Sequence, residues 1–433
     1  MIMENSEKLW TGKIPDNWKF YKGKYIFGER SERGNSVNLQ LLSPTQKFGV
    51  IPQSMYDELT SMKSVKVKED TDLSTFKTIH KGDFCISLRS FQGGFEYSEY
   101  EGVVSPAYHV LYPKMDICAG YYKYLFKEQR FIREMNSYCQ SLRDGKNISY
   151  SDFGRTVIPF PPLSEQQAIA DYLDETCSQI DEIIVEAKAS IDEYKELKQS
   201  VIFEAVTKGL DKNVEMEASG VEGMGVIPAK WSVVRFMKVN YVRARLGWKG
   251  LKAEEYVDAG YPFLAAYHIV NSYLCWENLN CITKERYDES PEIKLSIGDL
   301  VLVKDGAGIG KCARIDEMPL GEATVNSSLA VITPNKLLDY RYEYYYFMSP
   351  LFQNIIARLK SGMGVPHLTQ ESMKDIYLPL PAKKEQRAIA DYLDNKVVEL
   401  DSLIAEKESL INDLEAYKKS LIYEVVTGKR RVI

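Results

Sequence analysis

The chain has 433 residues, 45% of them hydrophobic, with 55 basic against 61 acidic side chains and a net charge of −6. That length accommodates two cores of ordinary size. The polar start MIMENSEK excludes a signal peptide and no apolar run is long enough to span a bilayer, so the chain is expected in the cytoplasm. The seven cysteines include no CxxC pair and the four histidines never fall at metal-ligand spacing, so no metal site is expected and the thiols read as free and mostly buried.

The charge is unevenly placed. Residues 1–163 carry 22 basic against 19 acidic groups, 164–209 carry 4 against 11, 210–383 carry 20 against 21, and 384–433 carry 9 against 10. The acidity is concentrated in the second of these segments. The others neither repel nor demand nucleic acid, and composition leaves the partner undecided.

In chain order, residues 12–18 read GKIPDNW, and a Gly-Asp turn at 82–83 feeds a strand-like run over 81–89. Further strands are expected over 103–111 and 156–160, with an aromatic helix over 121–135 between them. Residues 165–174 then read EQQAIADYLD, and the chain stays free of Gly and Pro until Gly209, which predicts one helix of about 44 residues, roughly 65 Å long. A Gly-containing linker follows to residue 224. The whole order then recurs: GVIPAKW at 225–231, a Gly-Asp turn at 298–299 feeding a strand over 297–304, a strand over 328–332, an aromatic helix over 342–359, a strand over 376–380, and EQRAIADYLD at 385–394 opening a second long helix. The two helices are offset by 220 residues without a gap. The divisions are 1–163, 164–209, 210–224, 225–383 and 384–433: domain, helix, linker, domain, helix.

Alternating steps of four and three along the first helix give Leu173, Cys177, Ile180, Ile184, Ala187, Ile191, Tyr194, Lys198, Val201 and Ala205, a sustained 3.5-residue repeat that predicts a coiled-coil seam. The second helix repeats it from Leu393 to Val425. Lys198 and Lys418 interrupt the seams at equivalent positions, either fixing register or snorkelling to solvent. Parallel helices would force the intervening domain, with a radius of gyration of about 15 Å, to bridge roughly 65 Å. An antiparallel pair needs no such reach and relates the two halves by an approximate two-fold axis. The fold class is therefore α+β: two similar mixed domains joined by two long antiparallel helices.

No catalytic constellation is present. Residues 306–311, GAGIGK, fail the phosphate-loop pattern because Asp305 stands where Gly is needed and Cys312 where Ser or Thr is needed; they read as a hairpin or bulge. Asp181 with Glu193 and Lys195 lies inside the long helix, as solvent-facing charge. The candidates for DNA contact are loop cations and amides: Arg89, Gln92, Arg143, Lys146 and Asn147 in the first domain, and Arg243, Arg245, Lys249, Lys304, Lys311 and Lys360 in the second. Arginine can read guanine through two hydrogen bonds, and Asn or Gln can read adenine likewise.

Two diverged domains, each closed by PFPPLSEQ or PLPAKKEQ and the repeated AIADYLD helix, resemble the specificity subunits of type I restriction-modification systems over essentially the whole chain. Ala382 replaces Pro162 in the second copy, a minor departure. The resemblance implies two target recognition domains with curved sheets, each reading half of a bipartite, asymmetric site in double-stranded DNA. It implies helices that set the spacing and dock methyltransferase subunits, with restriction subunits joining the complex. It also implies that the chain is not itself an enzyme and holds no cofactor, S-adenosylmethionine, ATP and Mg²⁺ being bound by the partner subunits. The competing expectation is a coiled-coil scaffold that binds only protein.

Overall fold

The computed structural model describes residues 10–34, 40–60, 73–86, 94–138, 148–244, 251–306, 308–360, 368–369 and 373–432. It divides into two compact units, Met1–Ala187 with Ser409–Ile433, and Lys188–Glu408. Each unit thus combines a globular part with half of each long helix.

The first unit contains β1 (Lys19–Lys22), β2 (Phe27–Glu29), β3 (Leu42–Thr45), β4 (Gly49–Pro52), β5 (Phe84–Ile86), β6 (Phe95–Tyr97), β7 (His109–Pro113) and β8 (Val157–Phe160). Its helices include α1 (Gln53–Thr60), α2 (Ala119–Leu125), α3 (Gln129–Ser137) and the first half of α4 (Leu163–Lys208). The central sheet is antiparallel in the order β2-β7-β5-β6, while β1 pairs with β8 and β3 with β4. The second unit contains β9 (Ser232–Arg235), β10 (Asn240–Ala244), β11 (Ile269–Val270), β12 (Tyr273–Leu274), β13 (Leu300–Val303), β14 (Cys312–Arg314), β15 (Leu329–Pro334) and β16 (Tyr377–Leu380), with α5 (Tyr340–Met348), α6 (Pro350–Lys360) and the first half of α7 (Lys383–Val426). Its sheet runs β10-β15-β13-β14, β9 pairs with β16, and β11 with β12. Two dissimilar sequences share the strand order of the four-stranded sheet and of its flanking pairs.

The central strands are buried on both faces. All four residues of β13 are buried: Leu300 and Leu302 join a cluster with Trp231, Tyr342 and Phe347, whereas Val301 and Val303 join one with Leu264, Ile269 and Val331. Cover on both sides removes the polar alternation that a half-exposed strand shows. The first unit fills its core with phenylalanine; Phe126 stacks on Phe131 at 5.1 Å and meets Phe84 edge-on at 5.2 Å. The second relies on the tyrosines of α5, of which Tyr342, Tyr344, Tyr345 and Tyr346 are all buried.

Two sequence expectations are corrected in detail. The strand expected over 103–111 is interrupted by a turn in which the Tyr108 N–H donates to the Ser105 carbonyl at 3.1 Å, at a proline that has no N–H to give a ladder. Each aromatic helix is two helices. Glu128 caps α3 by accepting the N–H groups of Arg130 and Phe131 at 2.6 and 3.0 Å, and Pro350 opens α6, since proline at an interior position would cost a helical hydrogen bond.

The long helices form the expected seam. Leu173, Cys177, Ile180 and Ile184 of α4 are buried, as are Leu393, Val397 and Leu400 of α7. Neither seam lysine snorkels to open solvent. Lys198 donates to Asp401 at 2.6 and 2.8 Å, and Lys418 donates to Asp181 at 2.6 Å to both oxygens. These two ion pairs are images of each other under the 220-residue offset; within the first unit Lys418 meets Asp181 while Ile169 and Gly428 border one cleft, so the two helix segments there run antiparallel.

Candidate nucleic-acid interface

The Gly-Asp turns anchor the sheets. Gly82 and Gly298 adopt φ of +95° and +91°, a region that glycine enters without a Cβ penalty. The aspartates that follow are buried. Asp83 accepts the His80 N–H at 2.9 Å and is bridged by Arg30 through two bonds of 2.8 and 3.0 Å. Asp299 accepts the Ser296 N–H at 2.8 Å and the Arg243 guanidinium at 2.9 Å. In each unit an arginine from the edge strand, or just beyond it, locks onto the turn that feeds the central strand.

Arg243 is therefore a framework residue. Its Nη1 donates to the carbonyls of Glu292 and Lys294 at 2.9 and 3.1 Å and its Nη2 also to the Thr333 hydroxyl at 2.5 Å, while the buried Nε has no partner among the described residues. Those partners sit at the turn end of the sheet, away from the loops in which DNA contact was expected.

The opposite end of the sheet is where the variable connections leave. Ala244, Ala330, Leu302 and Cys312 stand in one row across β10, β15, β13 and β14, so the segments that follow β10, join β13 to β14 and precede β15 start from a common edge. Lys304 and Lys311 belong there. Lys304 pairs with Asp305, and its N–H donates to the Ser328 carbonyl at 2.9 Å. Lys311 is exposed in a hairpin turn, where Gly306 and Gly310 have φ of +86° and +92° and the Gln353 amide donates to the Gly310 carbonyl at 3.0 Å. A Cβ at Gly310 would come within 3.0 Å of Ile356. The glycine run is a tightly packed turn, as its failure to match the phosphate-loop pattern implied.

Arg245 and Lys249 follow β10, and Arg89 and Gln92 fall between β5 and β6, the connection that corresponds to Lys304 and Lys311; all four lie outside the described residues. So do Arg143, Lys146 and Asn147, which follow α3. Lys360 ends α6, and its side chain is likewise outside them. The turn over 326–328 was missed. Asn326 accepts from the Ser328 N–H at 3.0 Å and hydroxyl at 2.6 Å, beside Lys304. Only the strand register shows that this short polar turn shares the loop edge.

The duplicated helix motif holds each globular part to its helices. Gln166 is fully buried, accepting the Cys118 N–H at 2.9 Å and donating to the Pro161 carbonyl at 2.9 Å. Gln386 accepts the Asp339 N–H at 2.7 Å and donates to the Leu337 and Pro381 carbonyls at 3.0 and 2.8 Å. Glu165 accepts the Trp18 indole N–H at 2.7 Å, so the IPxxW opening packs on the helix start. The last aspartate of the motif is held from the globular side: Asp174 by Tyr124 at 2.7 Å and Lys123 at 3.2 Å, Asp394 by Tyr345 and Arg314 at 2.6 Å and Arg341 at 3.1 Å. Burial pushes Asp394 up, but the tyrosine and arginines outweigh it and hold the carboxylate below its ordinary range. Tyr121 and Tyr342 donate to Val426 and Val206, carbonyls 220 residues apart.

Matched clamps under unmatched loops define a duplicated α+β reader, conserved where it grips its helices and diverged where its strands end. The family model of the type I restriction modification DNA specificity domain matches residues 15–193 and 244–415, and the chain belongs to that family: it is a DNA sequence-recognition subunit of a type I restriction-modification system, working on DNA together with partner subunits. It is 24% identical over 442 residues to the MjaVIII specificity subunit of Methanocaldococcus jannaschii, with 99% of this chain and 96% of that one covered. Its fold is similar to that of a chain from a solved type I restriction-modification assembly (TM-score 0.74, 14% identity, 96% of this chain and 100% of that one). It is also similar to the HsdS subunit from Thermoanaerobacter tengcongensis (TM-score 0.58, 15% identity, 98% and 100%). A scaffold that binds only protein is not what this family is. Among the described residues no helix is long and apolar enough to cross a membrane.

Proposed function

We propose that the two units read the two different halves of one bipartite, asymmetric site in double-stranded DNA. The observation that carries this reading is the shared strand order beneath dissimilar connections at the same sheet edge: Lys304 and Lys311 in one unit, Arg89 and Gln92 in the matching connection of the other. Cationic and amide side chains in such loops would contact phosphates and base edges, and the framework would hold them in place.

The helices set the spacing between the halves and dock methyltransferase subunits. Ile183, Val185 and Leu197 of α4 and Val398, Leu410 and Tyr417 of α7 are exposed large apolar residues outside the seam, the kind of surface a partner would cover. The chain is non-catalytic. Methylation with S-adenosylmethionine belongs to the methyltransferase subunits and ATP- and Mg²⁺-dependent cleavage to restriction subunits, all in the cytoplasm.

Selection from random duplex DNA by filter binding, with the methyltransferase partner present, tests this. Retained DNA should be enriched for two short, unlike sequences at a fixed separation. Retention without sequence enrichment would refute the reading.

A further inference from the structure

The Asp–Lys bridges of the two units are chemically identical and differently covered. In the second unit the β11–β12 hairpin places Tyr273 over the bridge, its hydroxyl donating to Asp401 Oδ2 at 3.3 Å, the carboxylate that also holds Lys198. The hairpin of the first unit, β3–β4, takes the same place in the fold, with its second strand against β6 as β12 lies against β14. The last cross-strand pair before the turn is Val270 with Tyr273 in one unit and Thr45 with Gly49 in the other, so Gly49 stands where Tyr273 stands.

Glycine is required at that position. Gly49 has φ of +72°, and a Cβ there would come within 2.7 Å of the Tyr97 carbonyl oxygen. The first unit therefore cannot supply the tyrosine itself. In its place is a cleft of about 650 Å³, bordered by Gly49, Tyr97, Tyr124, Asp181 and Lys418, with Met55 of α1 at its edge. The uncovering is measurable. The Asp181 side chain is 58% exposed against 32% for Asp401, and Lys418 is 26% exposed against 12% for Lys198.

We propose that this cleft is a docking site for a tyrosine side chain presented by a loop of a partner protein, seated between Gly49 and Asp181 with its hydroxyl donating to the Asp181 carboxylate. The second unit shows the arrangement completed from within one chain. Tyr97 and Tyr124 provide aromatic walls, and Met55 offers a polarizable sulfur of the kind that packs well on aromatic rings. The half-exposed carboxylate supplies the acceptor that tells tyrosine from phenylalanine. That the partner is a methyltransferase subunit rests on the function proposed above.

The test separates the two claims by using the full chain with N-acetyltyrosinamide and, separately, with the methyltransferase subunit. Saturation-transfer NMR should show the tyrosine amide binding, with N-acetylphenylalaninamide at least about three-fold weaker, the loss of one modest hydrogen bond. Ser178→Trp, on an exposed position of α4 that lines the cleft, should abolish that signal and weaken the methyltransferase complex at least ten-fold, while hydrogen exchange in the β5–β7 core stays unchanged. Glu175→Trp, on an exposed position of the same helix that does not line the cleft, should change neither. Equal binding of the two amides, or binding that survives Ser178→Trp, would overturn the site whatever the partner. Loss of amide binding with an unaltered methyltransferase complex would overturn the assignment of the tyrosine to that subunit.

Discussion

The two units share a frame and differ in what they put on it. Both lock a buried aspartate to an edge arginine, both seat a buried glutamine at the helix start, and both pin the helix with an aspartate about two turns before the one that holds the bridge lysine. Yet one core is packed with phenylalanine and the other with tyrosine, and every connection at the loop edge is different. Selection on the frame and on the loops has therefore answered different physical demands. The frame contains buried charges and amides whose partners must be present, since a lone buried ion costs several kcal/mol; at exposed positions such as Lys311 substitutions are usually within about 0.5 kcal/mol.

The largest expected effect tests the frame. Arg243→Ala strands the Asp299 carboxylate, whose side chain is 2% exposed, and should cost about 3–5 kcal/mol, localised to the second unit. Arg30→Ala should cost less, because the Arg30 side chain is 22% exposed against 13% for Arg243 and water can partly replace it. Hydrogen exchange read peptide by peptide distinguishes the units. Loosening of both units by either substitution would break the picture of independent frames.

Next come the glutamine clamps. Gln386→Ala unpairs one N–H and two carbonyls, and Gln166→Ala unpairs one of each, at about 1–3 kcal/mol for a group left truly unsatisfied. The first should be more damaging by about 1 kcal/mol in urea unfolding, and the reverse order would count against the hydrogen-bond explanation.

A third prediction sharpens the contrast between the cores. In the second unit the Glu343 carboxyl is fully buried and, among the described residues, only the Asn240 amide N–H bonds to it; Glu343 Oε2 and Asn240 Oδ1 have no partner among them. Burial raises the Glu343 pKa to about 8 from an ordinary 4.5, against a lowering by the Asn240 amide. The folded state then keeps the proton while the unfolded chain releases it, so stability is full below about pH 4.5, declines as pH rises to about 8 and is flat beyond. Glu343→Gln cannot ionise and can bond both atoms of Asn240. Its melting temperature should exceed that of the parent at pH 7, with a gap that widens from pH 5 to 8. A gap independent of pH would mean that Glu343 does not titrate there.

The smallest effects belong to the bridges. Lys198→Leu should change stability by about 1 kcal/mol or less, and Lys418→Leu by still less, because its pair is the more exposed. A double-mutant cycle with Asp401→Asn and Asp181→Asn reads each coupling directly. Equal couplings would contradict the difference in cover.

Much of this frame was legible in the sequence. The 220-residue offset, the 3.5-residue seam and the absence of Gly and Pro identify α4 and α7 almost to the residue, because a helix is written in local periodicity. The Gly-Asp turns were legible as turns but not as ion pairs, since Asp83 lies 53 residues from Arg30 and Asp299 56 from Arg243. Arg243 looked like a loop cation for the same reason: its partners are assembled only by the sheet. The break at Ser349 and Pro350 was written in the chain and was outweighed by the run of aromatics around it. The Gly-Asp turns already matched the run ending at Arg89 with the run ending at Lys304; the strand order added that the whole β5–β6 and β13–β14 connections, which carry Gln92 and Lys311, are equivalent.

Genome-wide mapping of methylated bases in a host with and without this chain, in the presence of the proposed methyltransferase partner, tests the central claim most directly. Two frames carrying different loops predict chain-dependent methylation at one bipartite site, with dissimilar halves and a spacer of fixed length. A continuous or palindromic site, or methylation that does not depend on the chain, would contradict it.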